Sequence, residues 1–279
     1  PAELSPAAHL TEAAIDYVRG RRSPWFVHLT YLQPHPPFTV PDEWFGYIGP
    51  DDVGPPNRSP NPADEAALHP LLDAFLSIPD LTEPDGWGNA NWRATYASMV
   101  AEVDHQFGRL LDALRSDDQH DDSLVIVTSD HGEQLGDHWL RHKLGWFPES
   151  YHVPLVMRWP AAQRRVGGDR AGGQTDAPAT PVQHFTEHVD LMPTVLDAVA
   201  SAAEADGSSG PDDPAGFRMQ VFDEAADGRS LLGFLLGTPT TDWRGAAHWE
   251  WDFRDPVNRL PERALGLGLD ACSLVARRD

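Results

Sequence analysis

Leu-Val-Ile-Val-Thr-Ser-Asp-His-Gly-Glu, residues 124–133, is the stretch of this sequence that decides the fold. Its first four residues are aliphatic without polar alternation, which predicts a strand buried on both faces in a parallel sheet covered by helices. Asp130 and His131 follow where open α/β sheets bind ligands, just beyond the carboxyl end of a strand. A carboxylate, an imidazole and a glycine at the turn predict half of a metal site. A plain polar turn is an equally good interpretation of these residues taken alone.

The charge of the chain limits its partners. With 279 residues the chain can form one large α/β domain, and its formal net charge is −22. Such a charge argues against nucleic acids and anionic membrane surfaces as general partners, because its field repels them. An anionic substrate would need a local positive centre, which favours a metal ion. The 21 basic residues include one lysine, Lys143, so this position is a candidate for a role that arginine would not serve.

Cysteine and hydropathy bear on the compartment. One cysteine, Cys272, excludes an internal disulfide. The sequence has neither an apolar run of ~20 residues nor a basic and apolar leader at its start, so we predict no membrane segment. These features favour the cytoplasm without determining the compartment.

The order of predicted elements is that of an α/β protein. Helices and strands are separated by a surface excursion at 46–91 with one short helix, and by loops at 161–183 and 201–217. Residues 134–146 are too polar and glycine-broken for a core element, and residues 243–255 could form a strand. The predicted helices follow Ser5-Pro6, Asn91 and Asp190 as caps, and the further predicted strands are 25–32 and 153–159.

His35 lies in Gln33-Pro34-His35-Pro36-Pro37-Phe38, directly after the predicted strand 25–32. Prolines on both sides fix φ and favour extended neighbours, so the histidine is presented on a stiff loop at a strand end. In isolation, an exposed histidine in a proline turn is the better interpretation.

Taken together, separate motifs resemble the sulfatases of the alkaline phosphatase superfamily, closest to their branch of phosphonate monoester hydrolases and arylsulfatases. The similarity covers most of the chain outside the two variable loops. The matching segments are residues 31–38, 128–143, 150–155, 189–194 and 249–255.

The resemblance implies a three-layer sandwich with a mostly parallel central sheet flanked by helices. It implies that Asp130 and His131 bind one divalent metal ion and that His35 and Lys143 line the site for the transferred group. A metal ion and these cations would stabilise the charge that an ester substrate develops during hydrolysis. Imidazole in the ligand set favours Mn²⁺, with Ca²⁺ as the alternative. The expected partner is a small anionic ester, and a homo-oligomer is possible.

The sequence departs from the family in two respects. The family's nucleophile is a cysteine in Cys-x-Pro-x-Arg that is converted to formylglycine, and neither that motif nor the acidic metal ligands near the family's N-terminus occur here. We therefore expect residues 1–279 to be a partial catalytic domain truncated at both ends, with formylglycine in a preceding segment. We also expect the isolated piece to be inactive.

Two alternatives remain open at this point. One is a phosphodiesterase or phosphatase of the same superfamily with a serine or threonine nucleophile. The other is a sulfatase-like domain that binds a ligand without catalysis.

Overall fold

The α/β class is confirmed in the computed structural model, which describes residues 2–22, 24–79, 81–82, 89–160, 181–206, 227–239, 241–254, 260–268 and 271–279. The helices within these ranges are α1 (Pro6–Val18), α2 (Pro62–Ala66), α3 (Pro70–Leu76), α4 (Ala90–Ser116), α5 (Pro148–Tyr151), α6 (Leu191–Asp206), α7 (Leu232–Leu235) and α8 (Leu260–Leu265). The strands are β1 (Val125–Thr128), β2 (Leu155–Arg158), β3 (Ala247–Asp252) and β4 (Ser273–Arg278).

The chain divides into two compact units. Unit 1 comprises residues 1–120, 128–155 and 253–272, and unit 2 comprises residues 121–127, 156–252 and 273–279. In the described residues the strands pair two by two, β1 with β2 and β3 with β4, and the second pair is antiparallel.

Helices α1 and α4 form the helical core of unit 1. The Ser5 hydroxyl accepts the N–H of Ala8 at 3.1 Å, so the predicted cap of α1 is confirmed. The cap of α4 is Asn89 and not the predicted Asn91, because its side-chain oxygen accepts the N–H groups of Asn91 and Trp92. None of the helices in the described ranges combines the length and the apolar character that crossing a bilayer requires.

Two strand predictions need correction. Residues 25–32 are extended and alternate between exposed and half-buried side chains, but no described strand pairs with them. Strand β1 is half-buried, not buried on both faces. The aliphatic run predicted the strand itself, but within the described residues β1 pairs with β2 alone, which leaves one of its edges without a strand neighbour.

The 46–91 excursion and the loops also differ from expectation. The excursion contains two short helices, and α3 buries Leu71, Leu72 and Phe75. Helix α6 extends to Asp206 and so includes the first residues of the loop predicted at 201–217. Of the predicted loops, residues 161–180 and 207–217 lie outside the described residues.

The polar segment 134–142 is a buried element, so its prediction as a non-core loop is wrong. Gln134 and Leu140 are fully buried. Four of its residues other than glycine have positive φ, a conformation that persists only where surrounding contacts fix it. They are Leu135, His138, Trp139 and His142.

Contacts with the excursion fix this segment. The backbone N–H of His138 donates to the Asn57 carbonyl at 2.8 Å, and the Asn57 N–H donates to Asp137 Oδ1 at 2.7 Å. Arg93 of α4 also donates to Asp137 Oδ1, at 3.2 Å. The His138 ring pairs through Nδ1 with the buried Glu65 carboxylate at 2.8 Å. The excursion and the segment therefore form one packed polar structure.

A buried ion pair organises unit 2. Asp190 was predicted to cap α6, but its fully buried carboxylate instead makes two hydrogen bonds of 2.6 Å with Arg244. The backbone N–H groups of Glu187 and Arg229 each donate to the same carboxylate at 2.8 Å. These four bonds connect the segment around residues 187–190 with Arg229 and Arg244 through one buried carboxylate.

We predict that Arg244→Gln lowers the free energy of unfolding by about 3 kcal/mol, because Asp190 would remain buried without its cation. Urea unfolding measures the change. Arg115→Gln is the control, since Arg115 forms an exposed pair with Asp112, and we expect less than about 1 kcal/mol for it. Equal effects of the two substitutions would contradict the assignment.

We predict that Glu65→Gln destabilises the protein in a pH-dependent manner. Burial alone would raise the pKa of Glu65, but hydrogen bonds from Ser59 and His138 outweigh it and hold the pKa below its ordinary value. The carboxylate therefore adds stability above its unfolded-state pKa and loses this contribution as the pH falls through the folded-state pKa.

Urea unfolding at several pH values tests this prediction. We expect a loss of about 2 kcal/mol at pH 7 that shrinks below about pH 4.3. The exposed Asp51 provides the control Asp51→Asn. A loss for Glu65→Gln that is constant with pH would show that the charge of Glu65 plays no part.

Candidate active site

Asp130 and His131 converge at the end of β1. The Asp130 Oδ2 and His131 Nε2 atoms lie 3.6 Å apart, and Asp130 Oδ1 accepts the backbone N–H of His131 at 3.0 Å. The Asp130 side chain is 86% exposed and that of His131 is 25% exposed. One carboxylate oxygen and one ring nitrogen are therefore close enough to approach a common cation.

The ring of His131 is oriented for a ligand. Its Nδ1 lies 2.8 Å from the Gly132 carbonyl, which can only accept a hydrogen bond, so Nδ1 carries the proton. The lone pair of neutral imidazole is then on Nε2, the atom that faces Asp130. Metal-binding histidines commonly donate the other ring N–H to a carbonyl in this manner, so these two residues fit a divalent cation.

His35 lies beside His131, with ring centroids 6.2 Å apart. Its Nδ1 is 2.9 Å from the Pro36 carbonyl, so this nitrogen also carries a proton. Nε2 of His35 is therefore an acceptor in the neutral ring and a donor in the imidazolium.

Lys143 is exposed and follows His142 directly. Burial lowers the pKa of His142, and the nearby positive charges of Arg141, Lys143 and His35 lower it further. Because Lys143 and His35 both act on the same imidazole, the structure brings these two predicted site residues into one neighbourhood. Their catalytic roles stay predictions.

Sequence reasoning gave Glu133 and His142 no role, although both lie in the site. Burial raises the pKa of Glu133, while hydrogen bonds from the backbone of His142 and Leu135 and the charges of His131 and His35 oppose that rise. The backbone N–H of Gln134 donates to the His142 carbonyl at 2.9 Å. The signal in the sequence was a glutamate two residues after His131 and a histidine directly before the single lysine.

Gly132 is required by a close backbone approach. A Cβ at this position would lie 2.0 Å from the Glu149 carbonyl oxygen, and the Gly132 N–H donates to the Ser150 carbonyl at 2.8 Å. Only glycine fits against α5 here. The residue after His131 is therefore fixed to the start of α5.

Few side chains in the described ranges could bind a metal ion together with Asp130 and His131. Those ranges contain no cluster of three or more histidine, cysteine, aspartate or glutamate side chains arranged to hold a metal ion. Asp130 and His131 are thus a two-residue set that fits a metal without enclosing one.

Comparisons with known proteins identify the family of the chain. The sulfatase family model matches residues 6–201. The chain is 35% identical over 291 residues to the multifunctional alkaline phosphatase superfamily protein PehA of Trinickia caryophylli, covering 100% of this chain and 51% of that protein. It is 26% identical over 260 residues to an arylsulfatase of Clostridium perfringens, covering 91% of this chain and 47% of that protein.

A solved structure gives the same result. The phosphonate monoester hydrolase of Agrobacterium radiobacter matches with a TM-score of 0.79 and 35% identity, covering 100% of this chain and 51% of that one. The chain thus spans about half the length of each of these relatives. The sequence and fold together establish that the chain belongs to the sulfatase family and has an alkaline phosphatase-like α/β fold.

Proposed function

We propose that the protein is a metal-dependent hydrolase of sulfate or phosphonate esters, and that residues 1–279 are part of its catalytic domain. The convergence of Asp130 Oδ2 and His131 Nε2 to 3.6 Å, with His35 beside them, carries the proposal. A relative is named an arylsulfatase and a structural neighbour a phosphonate monoester hydrolase, which supports both substrate classes.

Asp130 and His131 would hold the metal ion. When bound, a divalent cation supplies positive charge to the oxygens of the transferred group. One oxygen and one imidazole ligand suit Mn²⁺, and Ca²⁺ is the alternative because the Asp130 carboxylate is exposed and can adopt several arrangements.

Lys143 and His35 would act on the anion directly. Lys143 would place its ammonium group on an oxygen of the transferred group, where charge develops in the transition state. His35 would protonate the leaving oxygen from Nε2. Since Nδ1 already carries a proton, the transferred proton would come from Nε2 of the imidazolium form.

The nucleophile is not assigned to these 279 residues. The chain has one cysteine, Cys272, which is buried and lies outside any Cys-x-Pro-x-Arg sequence. The proposal therefore places the formylglycine of the family in a segment beyond this sequence. A small anionic ester is the proposed substrate, and the local cations would attract it despite the net charge of −22.

We predict that Lys143→Ala reduces kcat/KM by about 10²–10³, because one electrostatic contact to the transition state is lost. The melting temperature should stay nearly unchanged, since the lysine is exposed. Steady-state kinetics and thermal unfolding on the protein expressed from its full reading frame provide both values. Arg19→Ala is the matched control, because it removes an exposed positive charge on α1. A loss of stability with unchanged turnover would make Lys143 structural.

We predict that the same full-length protein hydrolyses an aryl sulfate or a phosphonate monoester and that it contains one divalent metal ion per chain. A rate panel of aryl sulfate, phosphonate monoester, phosphate monoester and phosphate diester tests this, with metal content from elemental analysis. Preference for phosphate esters would favour the phosphatase or phosphodiesterase alternative. Absence of turnover on all four would favour a binding domain.

A further inference from the structure

Glu149 connects the turn that carries His131, the candidate metal ligand, with other residues of unit 1. Its backbone carbonyl is in contact with Gly132, where an added Cβ would come within 2.0 Å of the carbonyl oxygen. The adjacent Ser150 carbonyl accepts the Gly132 N–H at 2.8 Å. Because Gly132 is joined to His131 by one peptide bond, a shift of residues 149–150 moves the His131 backbone.

Helix α5, which carries Glu149, is too short to be stable without contacts to other residues. Helix α5 has four residues, fewer than a stable isolated helix needs, so contacts from outside must hold it. The Glu149 side chain supplies two of them. Asn57 Nδ2 donates to Glu149 Oε1 at 3.1 Å, and His138 Nε2 lies 3.4 Å from Glu149 Oε2.

His138 is a rigid anchor for this carboxylate. Its Nδ1 pairs with the buried Glu65 at 2.8 Å, and its ring stacks on Phe147 with centroids 3.5 Å apart and planes inclined by 8°. Its backbone has φ of 54° and donates to the Asn57 carbonyl at 2.8 Å. Contacts with Glu65 and Phe147, together with the backbone hydrogen bond of His138, therefore hold the ring in place.

Glu149 also restrains the ring of His131 indirectly. The Gly132 carbonyl accepts the Nδ1 proton of His131 at 2.8 Å, so the position of Gly132 sets both the tautomer and the direction of Nε2. The contacts thus run from Asn57 and His138 through Glu149 and Gly132 to the metal-facing nitrogen.

We propose that Glu149 is a positioning residue for the metal ligand His131: it aims Nε2 through the backbone contact of residues 149–150 with Gly132. The inference rests on the proposed function, because it assumes that His131 binds the metal. The inference also implies that Asn57 and Glu65, both in the excursion, stabilise the metal site through their contacts with Glu149 and His138. Loss of an interaction that orients a metal ligand typically weakens metal binding by about 10–100-fold.

The test measures Mn²⁺ affinity by titration calorimetry, with the melting temperature of the metal-free protein measured in parallel. The protein is expressed from its full reading frame as the wild type, Glu149→Ala, Glu149→Gln, His131→Ala and the double variant of Glu149→Ala with His131→Ala. We expect Glu149→Ala to raise the Mn²⁺ Kd about tenfold or more. Glu149→Gln keeps the acceptor for Asn57 and should have a smaller effect.

Two comparisons separate positioning from general destabilisation. Arg244→Gln disrupts the buried pair with Asp190 in unit 2, so it should lower the melting temperature without changing the Mn²⁺ Kd. In the His131→Ala background, Glu149→Ala should change the Kd less than about twofold, because its effect passes through the missing ring. If Glu149→Ala does not fold, Asn57→Ala removes one side-chain contact of Glu149 and replaces it in the same comparisons.

The outcomes distinguish this inference from the proposed function. A wild-type protein that binds no Mn²⁺ and no Ca²⁺, or a His131→Ala variant with unchanged affinity, would overturn the metal site itself. Weaker binding in His131→Ala but unchanged binding in Glu149→Ala would overturn the positioning role alone. Equal effects of Glu149→Ala with and without His131 would also overturn it.

Discussion

The geometry of the candidate site depends on the packing of Gly132 against the backbone of Glu149 and Ser150. A side chain cannot be accommodated there, since its first carbon would overlap the Glu149 carbonyl oxygen. This contact joins the turn after β1 to α5, two short pieces that lack enough local hydrogen bonds to define their own positions. The His131 ring takes its direction from it, because its Nδ1 donates to the Gly132 carbonyl.

The acidic side chains around segment 134–142 have local partners. Around segment 134–142, the carboxylates of Glu65, Asp137 and Glu149 are turned towards N–H groups and the His138 ring. Opposing effects act on them: burial raises the pKa of Asp137, whereas hydrogen bonds and the charge of His138 outweigh burial at Glu149 and lower its pKa. Their negative charge is thus largely compensated by local partners.

The other side of the same segment carries the positive groups. His35 and Lys143 act electrostatically on His142, and burial together with these charges lowers the pKa of that imidazole. His142 is therefore disposed to be neutral near two cations.

The sequence allowed prediction of what depends on local pattern. The Ser5-Pro6 cap predicted α1, and the aliphatic run before Asp130-His131 predicted β1. The family likeness predicted His35 as a site residue, and its ring lies beside that of His131. These features need only neighbours in the chain or a recognised motif.

What the sequence could not predict are contacts between irregular segments. Asn57 and Glu149 are 92 residues apart, and Glu65 and His138 are 73 residues apart. No periodicity marks such residues, because turns with positive φ have no repeating pattern. The prediction that segment 134–142 lies outside the core failed for this reason: its polar groups are satisfied by the excursion, and a satisfied polar group can be buried.

The two candidate metal ligands, Asp130 and His131, differ in how firmly they are held, and this difference would set their roles towards a metal ion. Asp130 is 86% exposed and makes a local bond to the His131 N–H, so its carboxylate can reorient at little cost. The His131 ring is 25% exposed and fixed through Gly132. A cation would accordingly take its position from the imidazole, and the carboxylate would adjust to it. Errors in the placement of His131 therefore matter more than errors at Asp130, because Asp130 can follow the metal and His131 cannot.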